Sequence, residues 1–297
     1  MSEQQNNEDL PGDGHDEHRE GLGHDLPGLL ARGSGRVMAR RGLFAAFGAL
    51  GAAGVVAACT SDDGLVSVTS DGTTGGGPGA SGSSSATVAA GEIPEETAGP
   101  YPGDGSNGPD ALGQSGVVRE DITRSFGTAD GVAEGVALTI RLRVLSLEDG
   151  ESTPLEGAAV YLWHATREGG YSMYTEGVTD ENYLRGVQVA GADGWLQFRS
   201  IVPGCYDGRW PHVHFEVYPS LSDATSAAGR LRTSQLALPQ EVCETVYATA
   251  GYEASVANLA RVSLDSDMVF SDGHSLQLAK VTGSVDEGYT ATLAVPV

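Results

Sequence analysis

The segment Ile201–Tyr218 holds the pattern that most constrains the fold of this 297-residue chain. Apolar and polar side chains alternate over its last seven residues, which is the two-residue period of a β-strand. The period puts His212 and His214 on one face of that strand, together with Glu216. Two imidazoles on one strand face are either half of a metal site or a pair of half-exposed polar residues.

A turn is predicted immediately before this strand. Pro203 and Gly204 favour a reversal of the chain that brings Tyr206 toward the histidines, and Pro211 stiffens the approach to His212. A third metal ligand is therefore sterically plausible at this position.

The order P-G-x-Y followed by R-x-P-H-x-H-F resembles the iron-binding segment of the intradiol ring-cleavage dioxygenases, the family of catechol and protocatechuate dioxygenases. That family takes a second tyrosine ligand from a G-x-Y segment behind a strand ending in W-x-A, and this chain has Trp163-His-Ala-Thr-Arg-Glu-Gly-Gly-Tyr171. The resemblance covers residues 93–238. It implies one Fe(III) per chain, held by four ligands: Tyr171, Tyr206, His212 and His214.

The resemblance also implies roles for residues around the iron. Tyr206 would leave the metal and act as the catalytic base, and Arg209 would stabilise negative charge on the attacked ring. The substrate-binding residues would be Gln235 and the segment over the cleft, which contains Gly99, Pro100 and Tyr101. The implied reaction uses O2 to open a catechol between its hydroxylated carbons and gives a muconic acid.

Two departures from the family pattern bear on these assignments. Gln235 aligns with the pocket glutamine only if several residues are inserted after Tyr218. Trp210 interrupts the more usual order R-P-x-H, which affects how Arg209 is aimed. Other potential ligands rank lower: Tyr174 lacks the G-x-Y setting, and His164 ends a strand where surface exposure is expected. Tyr183 is the remaining alternative.

Short alternating strands predict an all-β fold. Residues 136–145 place four aliphatic side chains on one face and three polar ones on the other, as in a half-buried strand of a sandwich. Further strands are predicted at 158–164, 195–200, 212–218, 276–281 and 289–295. One helix is predicted from Pro239 to about Ala250. The sequence therefore predicts a single prealbumin-like β-sandwich with one short helix over residues 92–297.

The N-terminal part reads as an export signal. Residues 1–39 are polar and glycine-rich and are predicted to be a disordered extension. In residues 40–59, Arg40 and Arg41 precede an uncharged run that ends in small residues before Cys59, the order of a twin-arginine signal with a lipoprotein cleavage box. Cys59 would then carry the lipid. An uncleaved membrane anchor is the alternative.

Composition sets the expected location and partners. Residues 60–91 are Ser, Gly, Thr and Asp with little to bury, which predicts a flexible tether. Cleavage before Cys59 removes 8 acidic and 5 basic residues from totals of 40 and 17, which leaves a net charge of −20. This acidity disfavours nucleic-acid partners. We expect a lipoprotein on the outer face of the cytoplasmic membrane, or a secreted protein.

Two cysteines remain in the predicted domain, Cys205 and Cys243. An even number in an exported protein predicts a disulfide, here between the Tyr206 turn and the helix, and the alternative is two buried free thiols.

Two other functions compete with the dioxygenase interpretation. One is a non-catalytic prealbumin-like binding module that shares the fold without the iron. The other is a zinc hydrolase built on His212 and His214, for which Glu216 is the nearest carboxylate. The choice among catechol, protocatechuate, hydroxyquinol and larger phenols stays open, as does assembly into a homo-oligomer.

Overall fold

The computed structural model describes residues 91–297. The predicted extension, the signal with Cys59, and all but the last residue of the predicted tether lie outside the described residues. Within them the chain forms nine strands and two α-helices. They are β1 (Ala137–Glu148), β2 (Glu151–Pro154), β3 (Ala159–Trp163), β4 (Arg185–Val189), β5 (Trp195–Ile201), β6 (His212–Tyr218), β7 (Arg232–Ala237), α1 (Gln240–Tyr247), α2 (Glu253–Leu259), β8 (Lys280–Ser284) and β9 (Gly288–Pro296).

The strands form two sheets, which confirms the predicted all-β sandwich. The first sheet has the order β2-β1-β9-β8, with β5 also paired to β1. The second, called the site sheet below, has the order β4-β3-β6-β7 and is antiparallel throughout. The pairing of β1 with β9 is parallel, and it joins the first and last strands of the domain.

The main core lies between the sheets, and strand alternation decides which residues enter it. Every second residue of β1, from Leu138 to Val144, is buried there. From β6 the core takes Val213, Phe215 and Val217, as the period predicts. The polar residues of β6 therefore project from the opposite face of the site sheet. That face is also covered, so all seven residues of β6 are buried.

The sequence misplaced or missed several elements. Strands β2, β4 and β7 and helix α2 were not predicted. The strand expected at 276–281 instead begins at Lys280, because the preceding residues form turns and a single bridge from Leu278 to Ala237. Strand β7 reads Arg-Thr-Ser-Gln-Leu-Ala, and its central polar residues are buried by neighbouring chain, which hides the alternation that marks a half-exposed strand.

Helix α1 lies where it was predicted, with Pro239 at its N-cap. The predicted disulfide, however, is wrong: Cys205 and Cys243 are both buried free cysteines. The Cys205 thiol instead contacts the Arg209 carbonyl oxygen, with Sγ 3.4 Å from the oxygen. Burial raises the pKa of Cys205 to about 12, so this thiol stays protonated and unreactive. No helix within residues 91–297 is both long and apolar enough to cross a bilayer.

Candidate metal centre

Strand β6 sets the two histidines at the centre of the site. His212 and His214 point from the outer face of the site sheet, and their Nε2 atoms lie 3.0 Å apart. Both side chains are buried. Of the two alternatives for this pair, half-exposed polar residues are therefore excluded by the burial of both side chains.

The backbone fixes which nitrogen of His212 faces the site. His212 Nδ1 lies 2.5 Å from the carbonyl oxygen of Trp210. Because a carbonyl only accepts, Nδ1 carries the proton and Nε2 presents its lone pair. A hydrogen bond from the other ring nitrogen to a carbonyl is the usual means of orienting a metal-binding histidine.

Both imidazoles are neutral in this environment. Burial lowers the pKa of His212 well below its ordinary value, and the nearby Arg209 guanidinium lowers it further. Burial also lowers the pKa of His214, followed by the effect of His212. Neutral imidazoles are the form that binds a metal ion.

Tyr171 approaches the histidines from the loop that follows β3. Its ring centroid lies 6.4 Å from that of His214. Its hydroxyl is buried and, among residues 91–297, makes no hydrogen bond of ordinary geometry, although the Tyr206 side chain is close enough to raise its pKa. Burial raises the pKa of this phenol well above its ordinary value, and the neighbouring Tyr206 adds to the rise. Only a strong positive charge at this position would ionise it.

Tyr206 comes from the turn between β5 and β6. Its hydroxyl lies 3.4 Å from His212 Nε2, and its ring meets that of Tyr171 edge-on with centroids 6.0 Å apart. Two glycines allow the tyrosine loops to pack so closely. A Cβ on Gly204 would lie 2.3 Å from the Arg167 carbonyl oxygen, and one on Gly169 would lie 3.1 Å from the Tyr206 Cβ.

The structure thus gathers the four predicted ligands in one place. Two imidazole nitrogens and two phenol oxygens are a donor set that favours a hard trivalent ion such as Fe(III). The partnerless Tyr171 hydroxyl supports this fit, because a buried polar atom needs a partner. Within the described part of the chain no three His, Cys, Asp or Glu side chains form a metal-binding group.

Glu216 does not complete a zinc site. Its carboxylate accepts a hydrogen bond from the Tyr218 hydroxyl at 2.7 Å and lies 3.8 Å from the Arg230 guanidinium. Burial raises the pKa of Glu216 to about 7. These contacts commit the carboxylate to a network of its own, farther along β6 from His212 than His214 is.

Arg209 and Gln235 are joined beside the histidines. Arg209 Nη2 donates to Gln235 Oε1 at 2.7 Å, and Arg209 Nε donates to Asp267 Oδ2 at 2.9 Å. Gln235 is paired with His214 in the register of β6 and β7. The structure therefore brings both predicted residues to the site despite the insertion after Tyr218. Asp267 was not predicted, since nothing in Leu-Asp-Ser-Asp distinguishes it in the sequence.

The segment expected over the cleft does cover the site. A Cβ on Gly99, whose φ is +70°, would lie 3.3 Å from His214 Cε1. The ring of Tyr101 lies 4.9 Å from that of Tyr171. Gln235 Nε2 donates to the Thr97 carbonyl oxygen at 3.0 Å and so ties the segment to the site sheet. Gly99 thus packs against His214 and Tyr101 against Tyr171, and Pro100 lies between them in the chain.

Two residues on the outer face of the site sheet support the ligands and were not assigned from the sequence. Trp163 stacks on His214 with ring centroids 5.0 Å apart and planes 2° from parallel. Arg185 is buried and donates to the carbonyl oxygens of Pro102 at 2.8 Å and Ser172 at 2.9 Å. It thus ties the covering segment to the Tyr171 loop. Trp163 belongs to the W-x-A motif, so that motif could have identified it from the sequence as a residue beside the site.

The alternative ligands are engaged elsewhere. The Tyr174 hydroxyl accepts from the Gly103 backbone N–H and donates to Asn107. Tyr183 packs in a separate apolar cluster. His164 is buried, contrary to expectation, with Nε2 2.6 Å from the Ser200 hydroxyl and Nδ1 2.8 Å from the Ala165 carbonyl oxygen.

Comparisons with known proteins find similarity to dioxygenases. Residues 107–222 match a family model described as Dioxygenase. The chain is 39% identical over 62 residues to chlorocatechol 1,2-dioxygenase from Rhodococcus opacus, which is 21% of this chain and 24% of that protein. It is 35% identical over 77 residues to hydroxyquinol 1,2-dioxygenase from a Rhizobium species, which is 26% and 24%. The chain therefore spans about a quarter of the length of these curated relatives.

The fold of this chain is similar to that of a solved structure. The intradiol ring-cleavage dioxygenase from Tetranychus urticae superposes with a TM-score of 0.55 at 20% identity, over 69% of this chain and 94% of that one. At this identity the likeness concerns the fold alone.

Proposed function

We propose that this domain is an intradiol ring-cleavage dioxygenase and that it cleaves a catecholic ring with O2 at a non-haem Fe(III), a proposal supported by the family match over residues 107–222 and by the likeness in fold. The observation that carries the proposal is the meeting of two buried imidazoles with the Tyr206 hydroxyl and the partnerless Tyr171 hydroxyl. One Fe(III) per chain would be held by Tyr171, Tyr206, His212 and His214.

The bound Fe(III) would supply a Lewis acid and a template for the two catechol oxygens. The protein residues have separate tasks. The Tyr206 oxygen takes a proton from a catechol hydroxyl, and its half-exposed ring is the more accessible of the two tyrosines. The covering segment at Gly99 and Tyr101 keeps water from the reacting ring.

Arg209 stabilises negative charge that develops on the ring as O2 attacks. Its guanidinium is buried and held by Asp267 and Gln235, so it is a fixed cation in a dry site. Burial alone would lower the Arg209 pKa, but Tyr206 and Asp267 raise it, so the side chain stays charged. A preorganised charge of this kind costs no reorganisation during the reaction.

The reaction balances without another reductant. The bond between the two hydroxylated carbons breaks, both oxygen atoms of O2 enter the product, and two carboxylic acids form. The product is a cis,cis-muconate or a substituted analogue. The alternative of a non-catalytic binding module shares the fold, but it gives no reason for burying a phenol without a partner beside two neutral imidazoles.

The test is oxygen uptake by iron-loaded protein over a panel of catechol, protocatechuate, hydroxyquinol and chlorocatechol. We expect a visible phenolate-to-iron absorption band, oxygen uptake with at least one catechol, and a muconate product without the yellow semialdehyde of extradiol cleavage. A yellow product would indicate a different oxygenase. Stoichiometric zinc without colour in protein made with ample iron, or no uptake with any catechol, would contradict the proposal.

Arg209→Ala tests the proposed electrostatic role. The variant should keep iron and colour, bind catechols, and lose about 10²-fold in kcat, because it removes one preorganised contact to the transition state. Arg199→Ala, on an exposed arginine of β5, is the control and should turn over at the wild-type rate. An Arg209→Ala enzyme as fast as wild type would remove Arg209 from the mechanism.

We further propose that the protein is exported and lipid-anchored to the outer face of the cytoplasmic membrane through Cys59. The support is the order of Arg40, Arg41, the uncharged run and Cys59 in the sequence. Cys59→Ser should abolish lipidation, and lysine at both arginine positions should retain the precursor inside the cell. Mass spectrometry that finds residues 1–58 still attached to the exported wild-type protein would contradict this location.

A further inference from the structure

Asp267 is a buried carboxylate on the loop between α2 and β8, beyond the matched segment 107–222. Its two oxygens accept four hydrogen bonds. Oδ1 accepts from the backbone N–H groups of Val269 at 2.8 Å and Phe270 at 3.2 Å, which fixes the carboxylate to its own loop. Oδ2 points away from that loop, toward the turn that leads into β6.

On that turn Oδ2 accepts two bonds from neighbouring residues. It takes the Arg209 Nε–H at 2.9 Å and the Trp210 backbone N–H at 2.6 Å. Arg209 also donates from Nη2 to Gln235, so its guanidinium is held at two points and its plane is fixed. The Arg209 and Asp267 side chains are 7% and 0% exposed, which makes this a buried ion pair that solvent screens little.

The second bond reaches a proposed metal ligand. Trp210, whose N–H is held by Asp267, presents its carbonyl oxygen to His212 Nδ1 at 2.5 Å. The same carboxylate therefore holds the N–H of the residue whose carbonyl oxygen orients the His212 ring. Asp267 is thus connected to both the guanidinium and the imidazole.

We propose that Asp267 is the positioning residue for Arg209: its Oδ2 aims the guanidinium at the reacting ring. The inference rests on the proposed function, because it gives Asp267 its effect through Arg209. Asp267 does not touch the substrate in this proposal.

The chemistry of the four donors requires a carboxylate. All four groups around Asp267 are N–H donors, and a carboxylate offers only acceptors. An asparagine has one acceptor oxygen and one NH2 group. Whichever way its amide turns, a donor faces two donors, so Asp267→Asn releases either Arg209 and Trp210 or the loop itself.

The experiment is a double-mutant cycle with iron-loaded protein and the best catechol of the panel. Asp267→Asn should keep the iron band and a near-wild-type KM, and should lower kcat by about 10²-fold, as Arg209→Ala does. In the Arg209→Ala background the same change should lower kcat by less than about threefold, because the residue through which Asp267 acts is already absent. Asp265→Asn, on an exposed aspartate two residues away, is the control and should leave kcat unchanged.

The outcomes separate this inference from the proposed function. Equal losses from Asp267→Asn in both backgrounds, or an Asp267→Asn enzyme with wild-type kcat, overturn the positioning role alone. A wild-type protein that takes up no oxygen with any catechol overturns the proposed function and this inference with it. Should Asp267→Asn not fold, Arg209→Lys keeps the charge without the two-point attachment and should also lose about 10²-fold in kcat. Wild-type kcat in Arg209→Lys overturns the inference.

Discussion

The Tyr171 hydroxyl is the residue-scale feature that most clearly separates a binding site from an ordinary core. A buried polar atom without a partner costs stability, and proteins retain such atoms where a ligand satisfies them. Tyr174 shows the ordinary solution three residues away, since its hydroxyl both accepts from Gly103 and donates to Asn107. The buried Tyr171 hydroxyl therefore lowers the free energy of unfolding of the metal-free protein, and binding of a metal ion would remove this penalty.

Tyr171→Phe should have opposite effects on the metal-free and iron-loaded protein. Without metal, the change removes the partnerless hydroxyl and should stabilise the fold by about 1 kcal/mol. With iron, it removes a ligand and should shift or bleach the absorption band and weaken iron binding. Urea unfolding of the metal-free protein and iron titration followed by visible absorption measure the two effects.

Tyr174→Phe is the matched control, because it removes a hydroxyl that has partners. It should destabilise the metal-free protein by about 1 kcal/mol and leave the iron band in place. If Tyr171→Phe instead destabilises the metal-free protein as Tyr174→Phe does, the hydroxyl has a partner in solution and is not poised for a metal ion.

At the scale of elements, the site depends on how closely two loops approach. The loop after β3 carries Tyr171, and the turn after β5 carries Tyr206. They meet at Gly204, whose backbone N–H donates to the Thr166 carbonyl oxygen at 2.9 Å. A Cβ at this position would lie 2.3 Å from the Arg167 carbonyl oxygen, which is backbone and cannot move aside cheaply.

Gly204→Ala should therefore push the two tyrosine loops apart. We expect a loss of about 1–3 kcal/mol in unfolding free energy, the usual cost of overpacking, and a weaker iron site because Tyr206 is displaced. Gly191→Ala is the control, since a Cβ there would meet only Asp193 Oδ1 at 3.4 Å and Trp195 O at 3.8 Å. Iron affinity in Gly204→Ala equal to that of Gly191→Ala would show that the close packing does not set the site.

At the scale of the whole molecule, the partial burial of Glu96 makes stability depend on pH, because burial disfavours the ionised carboxylate. Burial and then Asp272 raise the pKa of Glu96 to about 7, from an ordinary value of 4.5. Between these values the folded protein holds a proton that the unfolded chain releases, so Glu96 favours folding at low pH. Its contribution is complete below about pH 4.5 and is lost as the pH rises through about 7.

Glu96→Gln should flatten this part of the stability profile. Relative to wild type, the variant should gain stability as the pH is raised from 5 to 8, because glutamine has no proton to lose. Melting temperatures measured across that range test the change in slope. Glu176→Gln, on an exposed glutamate, should run parallel to wild type. Parallel profiles for Glu96→Gln as well would mean that Glu96 titrates normally.

The period of apolar residues along each segment predicted a large part of the fold. The alternation in β1 and β6 was readable from the sequence because apolar residues recur at every second position on the face that packs in the core. Strand β7 was not readable, since its surroundings bury polar and apolar side chains alike, and β4 was not readable because it buries Arg185 and exposes Val189. The predicted disulfide failed because the number of cysteines says nothing about where their sulfur atoms point.

By itself, the sequence determined the sandwich class, the strand face that carries His212 and His214, and, through the family resemblance, the four proposed ligands. These follow from residue types at short spacing, where chain geometry leaves little choice. Only the tertiary structure decided that Asp267 holds Arg209, that Gln235 lies beside His214, and that the Tyr171 hydroxyl has no partner among the described residues. Those contacts join segments far apart in the chain, and their formation depends on how both sheets and the covering loops pack, which no local pattern encodes.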